Sequence, residues 1–452
     1  MTEKAILSRP NMKVYQNNIS FLSKKFEKIL AFLQEIKYNI AVLRCYTIWV
    51  KVKGISMKEL SRVALGVSAS ATLAIDSTAK QMKADGYDVV GFGTGEPDFP
   101  TPENICKAAV NAIYEGKTKY TPAAGIVELR RAIAQRIQAD DGEVYTPDQI
   151  VVASGAKHNV FVALMCLVNP GDEVVIAAPY WLTYSEAVEM AGGVPVLVKA
   201  PESQDFKITP EQLEAAITEK SKVFMINNPS NPTGMLYNRQ ELEALMAVCT
   251  KYDLYVISDE IYHGLVYDNA EFVSIPSLSE EIKNRTILID GVSKSYAMTG
   301  WRIGYTASNP EIARVMSNYL SHSTGAPSTI SQWAAVEALT GPQEGIAAMK
   351  DVFEQRRNYI VERMNAIEGV SCRKPQGAFY VMMNIDKLLG KTLGGRVINN
   401  GDDFAMAFLE HGLVALVPCS AFGAPNYVRW TYAASMENIK EGLDRLEKFL
   451  KA

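Results

Sequence analysis

The segment that most restricts the fold of this chain is a short β-branched apolar run, residues 286–290, that ends at Gly291. An apolar run of this length, bounded by glycine, is typical of a buried strand. Ser293 and Lys294 follow directly, and Arg302 lies eight residues beyond the lysine. The sequence therefore predicts that a lysine, a hydroxyl group and a guanidinium come together at the carboxyl end of a strand.

These three side chains suit one kind of ligand. A lysine amine forms Schiff bases with aldehydes, whereas serine and arginine supply the hydrogen bonds and charge that a phosphate monoester requires. An aldehyde and a phosphate in one molecule describe pyridoxal 5'-phosphate. Residues 293–304, SKSYAMTGWRIG, also resemble the cofactor-lysine segment of class I aminotransferases, in the fold-type I group of pyridoxal-phosphate enzymes. The resemblance implies that Lys294 is the catalytic residue and that Ser293 and Arg302 bind the phosphate.

Length and composition agree with a large soluble enzyme. A chain of 452 residues exceeds one ordinary domain, so two domains are expected. The 48% hydrophobic and 21% charged residues are typical of a globular protein, and a net charge of -4 gives no reason to expect nucleic acid. Six cysteines without CxxC spacing and four histidines offer no metal site. Free thiols in the cytoplasm are the expectation.

The first 56 residues differ from the rest, with ten Lys/Arg against three Glu. Apolar residues from Phe21 to Leu43 recur at helical spacing and predict an amphipathic helix. No apolar run approaches the roughly 20 residues that cross a bilayer. Three interpretations remain: a transit peptide, which Glu27 and Glu35 disfavour, a membrane-surface or partner helix, and sequence upstream of a true start at Met57. We expect a chain that starts at Met57 to be active.

Two segments near the start of the remaining chain resemble family motifs. Residues 57–83 read as helix, and residues 89–100 form a short strand that enters a glycine-rich turn. In the family, the glycine matching Gly95 borders the substrate carboxylate. Residues 119–125, KYTPAAG, resemble a segment whose tyrosine, here Tyr120, reaches the cofactor phosphate of the partner subunit. Val127 replaces the motif's usual proline. The resemblance implies a homodimer with shared active sites.

A strand, a turn and a helix follow at residues 149–168. The turn contains Gly155 and Ala156, and a glycine turn that enters a helix N-terminus is an anion site because unpaired N–H groups and the helix dipole meet there. We expect the phosphate to bind at these residues. Lys157 opposes the dipole by about 0.3 to 1 kcal/mol, which an anionic ligand can outweigh, although a solvated surface lysine remains the alternative.

The ends of the next two predicted strands also carry candidate residues. Trp181 follows the strand at residues 173–177 and offers an aromatic face to a flat heterocycle; its Pro-Tyr-Trp context resembles the family's ring-stacking position. The segment NPTG after the strand at residues 222–226 predicts a rigid turn. In the family, the asparagine matching Asn231 hydrogen-bonds the cofactor's phenolic oxygen. Both residues are also expected to contact the substrate.

Asp259 ends the predicted strand at residues 254–258. Pyridoxal acts as an electron sink while its ring nitrogen is protonated, and a neighbouring carboxylate retains that proton. At about 4 Å and an effective dielectric of about 20, such a pair contributes about 4 kcal/mol. We therefore expect Asp259 to bind the ring nitrogen. Tyr262, one turn further on, is expected to donate to the phenolic oxygen.

The C-terminal region contains an apolar strand at residues 377–383 and the sequence YVRWTYA at residues 427–433. A guanidinium binds a carboxylate through two parallel hydrogen bonds. The match to the family's VRxSYA pattern implies that Arg429 binds the substrate α-carboxylate. In a similar subgroup of bacterial aspartate aminotransferases, the residues matching Lys157 and Thr72 contact the distal carboxylate.

These observations predict an α/β fold of type I. A large domain with a mostly parallel, seven-stranded-type sheet should be flanked by helices and joined by a smaller α+β domain. The expected boundaries are an extension over residues 1–56, small-domain parts at 57–102 and 346–452, and a large pyridoxal-phosphate domain at 103–345. Open α/β sheets bind ligands at the carboxyl ends of their strands, where these candidate residues fall.

The expected activity is amino-group transfer from an L-amino acid, with aspartate and glutamate favoured, to a 2-oxo acid such as 2-oxoglutarate or oxaloacetate by a ping-pong mechanism. Aminotransferases specific for prephenate, aromatic amino acids or alanine remain alternatives, as does a pyridoxal-phosphate carbon-sulfur β-lyase. A regulator with an aminotransferase-like sensor domain is disfavoured because the first 56 residues are a poor match to a winged helix. No membrane partner is expected.

Overall fold

The computed structural model of the protein describes residues 58–68 and 71–451, with the backbone alone at residues 71–74 and 76. The amphipathic helix predicted within the first 56 residues and the side chain of Thr72 lie outside this description. The chain divides into two compact units, Met1–Leu65 and Gly66–Ala452, and the described sheets belong to the second. Within the described residues, no helix has both the length and the apolar character needed to span a bilayer.

The largest sheet consists of seven strands. The strands described in the chain are Val90–Gly91 (β1), Ile150–Ala153 (β2), Glu173–Ala178 (β3), Val194–Lys199 (β4), Ser221–Asn227 (β5), Tyr255–Asp259 (β6), Thr286–Gly291 (β7), Gly304–Ala307 (β8), Ser371–Cys372 (β9), Tyr380–Asn384 (β10), Thr392–Leu393 (β11), Arg396–Val397 (β12), Val414–Ala415 (β13), Val417–Pro418 (β14) and Tyr427–Thr431 (β15). The large sheet has the order β2-β8-β7-β6-β5-β3-β4. Strand β8 is antiparallel to both of its neighbours, and the remaining pairs are parallel. The prediction of a mostly parallel seven-stranded sheet is confirmed.

Helices cover both faces of this sheet. The α-helices described in the chain are Arg62–Gly66 (α1), Ala71–Ala84 (α2), Glu103–Tyr114 (α3), Val127–Asp141 (α4), Ala156–Leu167 (α5), Thr183–Met190 (α6), Pro210–Ala216 (α7), Arg239–Lys251 (α8), Glu280–Arg285 (α9), Pro310–Ser323 (α10), Thr329–Thr340 (α11), Glu344–Ala366 (α12), Gly401–Gly412 (α13) and Met436–Lys451 (α14). Helices α5, α6 and α10 pack on one face. The opposite face is covered by α3, α4 and α11 at one end and by α7 and α8 at the other.

Strand β7 shows why the apolar runs form the centre of the sheet. Its six residues are all buried, as expected for a strand with helices on both faces. Side chains alternate along the strand, so Ile287 and Ile289 pack against the α5 face, whereas Leu288 packs against the α4 face. A continuous β-branched run therefore supplies both hydrophobic layers.

A second, smaller sheet lies in the C-terminal region, with the order β14-β15-β10-β9 and antiparallel pairing throughout. Helix α14 buries Ile439, Leu443, Leu446 and Phe449, which recur at helical spacing, in the same core as this sheet. The smaller α+β unit is thus present. The residue limits predicted for the two domains stay a prediction.

Two element predictions are wrong in detail. The helical stretch predicted over residues 57–83 is interrupted, because Val67 and Ser68 are not helical and α1 ends at Gly66. The strand predicted to start at residue 377 starts at Tyr380. Ala378 has a φ of 58°, a left-handed conformation that is incompatible with an extended strand.

Candidate active site

A cavity of about 290 Å3 lies at the carboxyl ends of the parallel strands, close to the lower limit of about 300 Å3 for small-molecule sites. Most of the residues proposed from the sequence line it: Gly95, Ala156, Lys157, Trp181, Asn231, Asp259, Tyr262, Ser293, Lys294, Arg302 and Arg429. Strands β3, β5, β6 and β7 each end at this edge, so the fold brings together residues that are far apart in the chain.

Lys294 lies three residues after β7, with its amine in the cavity. Its Nζ donates a hydrogen bond to the carbonyl oxygen of Gly95 over 2.5 Å. Burial lowers the pKa of Lys294 to about 8, and the positive charges of Arg429 and Arg302 act in the same direction, whereas Glu96 opposes them. A substantial fraction of the amine is therefore unprotonated near pH 8, the form that attacks a carbonyl carbon or accepts a proton.

Asp259 ends β6 and is 3% exposed. Its Oδ2 accepts a hydrogen bond from the hydroxyl of Tyr184 over 2.6 Å. Burial raises the pKa of Asp259 to about 6, and the bonds from Tyr184 and from the backbone N–H of Ile261 limit the rise. The carboxylate is therefore mainly ionised at neutral pH, with room for a cationic partner in the cavity.

The N-terminus of α5 follows the glycine turn at which the sequence predicts an anion site, and anion binding there stays a prediction. Gly155 precedes the helix with a φ of 93°, and a Cβ atom there would lie 2.3 Å from Nη2 of Arg302. Glycine thus lets the guanidinium approach the helix start. Arg302 donates to two carbonyl oxygens, those of Thr299 over 2.8 Å and Ser154 over 3.2 Å. Both acceptors are uncharged, so the positive charge remains available to an anion.

Arg429 provides a second cationic group, 2% exposed, from the middle of β15. It donates to Oδ1 of Asn231 over 2.9 Å and to the carbonyl oxygen of Gly93 over 3.0 Å. Its buried Nε has no hydrogen-bond partner among the residues that the structure describes. Because a buried charge with only neutral acceptors is costly, this arrangement favours a bound carboxylate.

Lys157 lies in the first turn of α5 and faces the cavity. Its Nζ is 4.9 Å from the ring centroid of Trp181, within the range of a cation–π contact. Burial and the charge of Arg302 lower the pKa of Lys157. The side chain is part of the cavity wall and is also exposed to solvent, so a role for Lys157 in ligand binding stays a prediction.

Comparison with known proteins identifies the family. The profile of the family described as "Aminotransferase class I and II" matches residues 87–446, more than half of the chain. The chain belongs to the class I and II aminotransferases. The enzyme is 47% identical to an aspartate aminotransferase from Bacillus sp. strain YM-2, with 87% of this chain aligned to all of that protein. It is 48% identical to the aspartate aminotransferase of Geobacillus stearothermophilus, over 88% of this chain and all of the relative.

Solved aminotransferase structures have the same fold. An aspartate aminotransferase from Rhizobium meliloti superposes with a TM-score of 0.84 and 41% identity, over 88% of this chain and 99% of that one. The Thermus thermophilus aspartate aminotransferase with maleate superposes with a TM-score of 0.82 and 38% identity, over 87% of this chain and 100% of that one. The fold-type I architecture predicted from the sequence is confirmed.

Two residues proposed from the sequence do not line the cavity of this aminotransferase. Tyr120 is fully exposed, so its predicted reach to a partner subunit stays a prediction. Gly155 contacts Arg302 but is not part of the cavity wall.

Sequence reasoning missed five polar residues in the cavity wall: Thr183, Tyr184, Asn227, Thr299 and Tyr380. The side chain of Asn227 donates to the carbonyl oxygen of Asp259 over 2.8 Å and accepts from the N–H of Asn231 over 2.7 Å. Tyr380 lies with its hydroxyl 3.0 Å from that of Tyr262. One sequence signal existed for Tyr184, which follows Trp181 by three residues; its backbone N–H donates to the carbonyl oxygen of Trp181 over 2.9 Å, in the turn that begins α6.

Proposed function

We propose that this aminotransferase binds pyridoxal 5'-phosphate and transfers the amino group of L-aspartate or L-glutamate to a 2-oxo acid, 2-oxoglutarate or oxaloacetate. The single observation that carries the proposal is the pair of cations, Arg429 and Lys157, in the cavity that also contains Lys294 and Asp259. Two cations suit a substrate with two carboxylates. Relatives named aspartate aminotransferase support the same choice.

The residues present fit the cofactor. The turn at Gly155 has room only for a glycine against Arg302, so a guanidinium lies beside the start of α5, where unpaired N–H groups favour a phosphate group. There Ser293, Arg302 and the N–H of Ala156 would hold the phosphate. Trp181 would lie against the ring face and Asp259 at the ring nitrogen, with Asn231 and Tyr262 at the phenolic oxygen and Lys294 at the aldehyde. When bound, the cofactor supplies an electron sink for the charge that develops on the substrate α-carbon.

Lys294 is proposed to move the proton of the reaction. Its Nζ has a pKa of about 8 because the side chain is buried beside Arg429 and Arg302. An amine with this pKa is present in its basic form at working pH and accepts a proton from the substrate α-carbon effectively. The carbonyl of Gly95, 2.5 Å away, orients Nζ.

Arg429 is proposed to bind the α-carboxylate. The hydrogen bonds to Asn231 and Gly93 hold the guanidinium in place, and its ring neighbours Tyr380 and Phe422, with centroids 4.4 Å and 5.3 Å away, restrict it further. A guanidinium that is already oriented loses little conformational entropy on binding. Gly95 borders the same end of the cavity.

Lys157 is proposed to bind the distal carboxylate of aspartate or glutamate, assisted by Thr72, whose side chain lies outside the described residues. The amine of Lys157 lies over Trp181. Its lowered pKa reflects burial and the repulsion from Arg302. A second carboxylate would relieve this repulsion, so charged substrates gain affinity at this position.

A homodimer with shared active sites is proposed from the surface around Tyr120. Helix α3 exposes Val110, Ile113 and Tyr114, and Val127 is exposed at the start of α4. Exposed apolar residues on two helices that flank Tyr120 in the chain are the kind of surface that a protein interface covers. Tyr120 would enter the cofactor-phosphate site of the partner subunit.

The deciding experiment is a substrate panel. The purified full-length chain with pyridoxal phosphate is supplied with each amino acid and 2-oxoglutarate, and oxo acid formation is measured. Aspartate should give the highest kcat/KM. A relative named aspartate/prephenate aminotransferase, 46% identical, makes prephenate the second acceptor to include. Pyruvate release from cysteine-type substrates without an acceptor would instead indicate a carbon-sulfur β-lyase, and exclusive use of uncharged amino acids would refute the proposal.

A further inference from the structure

An ion pair between His263 and Asp290 lies directly behind the candidate active site. His263 is on the turn after β6, four residues beyond Asp259, and Asp290 is four residues before Lys294. Nδ1 of His263 is 3.2 Å from Oδ2 of Asp290. The pair therefore joins the segment that carries Asp259 to the segment that carries Lys294.

This ion pair is on the opposite face of the sheet from the cavity. Asp259 pairs in register with Ile289 and contacts Tyr184, and both of those residues belong to the α5 face. Asp290 is one residue further along β7, so its side chain points to the other face. There its Oδ2 accepts a hydrogen bond from Tyr305 over 2.7 Å, and Tyr305 belongs to the α4 face.

Three elements place polar or charged groups around His263: its own turn, α4 and β7. On its own turn, Nδ1 is 3.2 Å from the backbone oxygen of Glu260, and from α4, Oδ2 of Asp140 is 3.9 Å from Nε2. Burial lowers the pKa of His263, but Asp290, Asp141 and Asp140 outweigh it and raise the pKa to about 10. The imidazole is therefore a cation at neutral pH.

Of the acids that raise the pKa of His263, Asp290 has the largest effect, ahead of Asp141 and Asp140. Asp140 is already paired with Arg136, whose Nε donates to it over 2.8 Å. Burial raises the pKa of Asp141 to about 6 and that of Glu260 to about 8, so Glu260 is mostly neutral at pH 7. Among the described residues, His263 is the side chain that forms an ion pair with Asp290.

The charge of Asp290 acts on the active site. It raises the pKa of Asp259, alongside the larger effect of burial, whereas Lys294 and the hydroxyl of Tyr184 lower it. Coulomb interactions through a protein interior fall off slowly with distance. An uncompensated charge on Asp290, one residue along β7 from the register partner of Asp259, would therefore favour protonation of the Asp259 carboxyl.

We propose that His263 is a positioning residue of this enzyme, whose positive charge neutralises Asp290 and so keeps Asp259 ionised for the cofactor ring nitrogen. The inference rests on the proposed function, because it assigns Asp259 to that nitrogen. It predicts opposite effects of removing the two members of the pair. Loss of His263 hinders ionisation of Asp259, and loss of Asp290 promotes it.

The test measures cofactor affinity and not turnover. Pyridoxamine 5'-phosphate carries an amine in place of the aldehyde, so it binds without a covalent bond to Lys294. Its dissociation constant is measured by calorimetry for the full-length, cofactor-free chain between pH 5 and 8.5. The variants are His263→Asn, which keeps an N–H donor near the position of Nδ1 without the charge, Asp290→Asn, the double variant and Asp259→Asn.

The affinity for pyridoxamine 5'-phosphate should fall as the pH is lowered. In the His263→Asn variant, the midpoint of this fall should lie about one pH unit higher than in the unmodified protein. This shift corresponds to about fivefold weaker binding near pH 6, approaching tenfold near pH 5, and to a change below about twofold at pH 8.5. Asp290→Asn should move the same midpoint downward, and the double variant should return it close to the original value. Thermal unfolding of each variant confirms that the fold is retained.

The outcomes distinguish a failure of the proposed role of His263 from a failure of the assignment of Asp259 to the ring nitrogen. Shifts of the same sign in both single variants, equal losses at every pH, or no recovery in the double variant would overturn the role of His263. If Asp259→Asn retains the pH dependence of the unmodified protein, the ring-nitrogen assignment in the proposed function fails instead. If Asp259→Asn removes that dependence and His263→Asn leaves it unmoved, only the inference about His263 is refuted.

Discussion

The hydroxyl of Tyr184 donates a hydrogen bond to Oδ2 of Asp259 over 2.6 Å, between residues separated by 75 positions in the chain. Both side chains are buried. The bond opposes the effect of burial, which raises the pKa of Asp259 to about 6. Tyr184 follows Trp181 by three residues, and its N–H donates to the carbonyl oxygen of Trp181, so a single segment presents one aromatic ring to the cavity and one hydroxyl to the carboxylate.

Replacing Tyr184 with Phe should weaken the enzyme without unfolding it. A hydrogen bond to a charged group contributes about 1.5 to 3 kcal/mol, so kcat/KM for aspartate should fall about tenfold to hundredfold, most strongly at acid pH. Tyr237→Phe is the matched control, because the Tyr237 hydroxyl is equally buried but accepts from the backbone N–H of Ile208. A loss of kcat/KM as large in Tyr237→Phe would show that the effect is general destabilisation.

Asp259→Asn should stabilise the cofactor-free protein above pH 6. An acid whose pKa rises on folding, here from 3.8 to about 6, binds more protons in the folded state between these values, so stability falls as pH rises through that window. The loss of unfolding free energy caused by ionising Asp259 is absent below about pH 4 and complete above about pH 6. Removing it should add up to about 3 kcal/mol at pH 8, measured by urea unfolding at both pH values. A stability gain that is equal at pH 4 and pH 8 would contradict this account.

The same Asp259→Asn substitution should suppress transamination severely, because a neutral amide does not retain a proton on the ring nitrogen. Single-turnover kinetics with aspartate measure the loss. Turnover comparable to that of the unmodified enzyme would refute the proposed role of Asp259.

Lys294→Ala should remove the covalent attachment of the cofactor and nearly all turnover. The reason is that the amine of Lys294, with its pKa of about 8, is the group proposed to react with the aldehyde. Mass spectrometry after treatment with pyridoxal phosphate and borohydride should find one labelled lysine in the unmodified enzyme and none in the variant. Stoichiometric labelling at another lysine of the variant would show that Lys294 is the wrong residue.

Lys157→Gln should change substrate preference. The ratio of kcat/KM for aspartate to that for alanine should fall about tenfold to hundredfold, since one hydrogen bond to a charged carboxylate is lost. Lys117→Gln is the control, because Lys117 also lies over a tryptophan, 3.6 Å from the ring of Trp333, but outside the cavity. Equal losses for aspartate and alanine would place Lys157 at the phosphate.

Much of the fold and most of the site follow from local sequence. The β-branched run that becomes β7 is buried on both faces, and such a run is stable only as a central strand between helix layers. Lys294, Asp259 and Trp181 are predictable because each ends or follows a buried strand, and in a parallel sheet the strand ends share one edge. The motifs around them carry the family resemblance.

Tertiary structure determines the contacts that set the pKa values and orientations of these residues. Tyr184 with Asp259, Lys294 with Gly95 and Arg429 with Asn231 join positions 75, 199 and 198 residues apart, and no local pattern encodes such pairings. The ion pair of His263 and Asp290 depends on the register of β6 against β7 and on which face each side chain takes. Local sequence determines which residues end each strand, whereas the electrostatic environment of each residue depends on neighbours that only the packed sheet brings within a few ångströms.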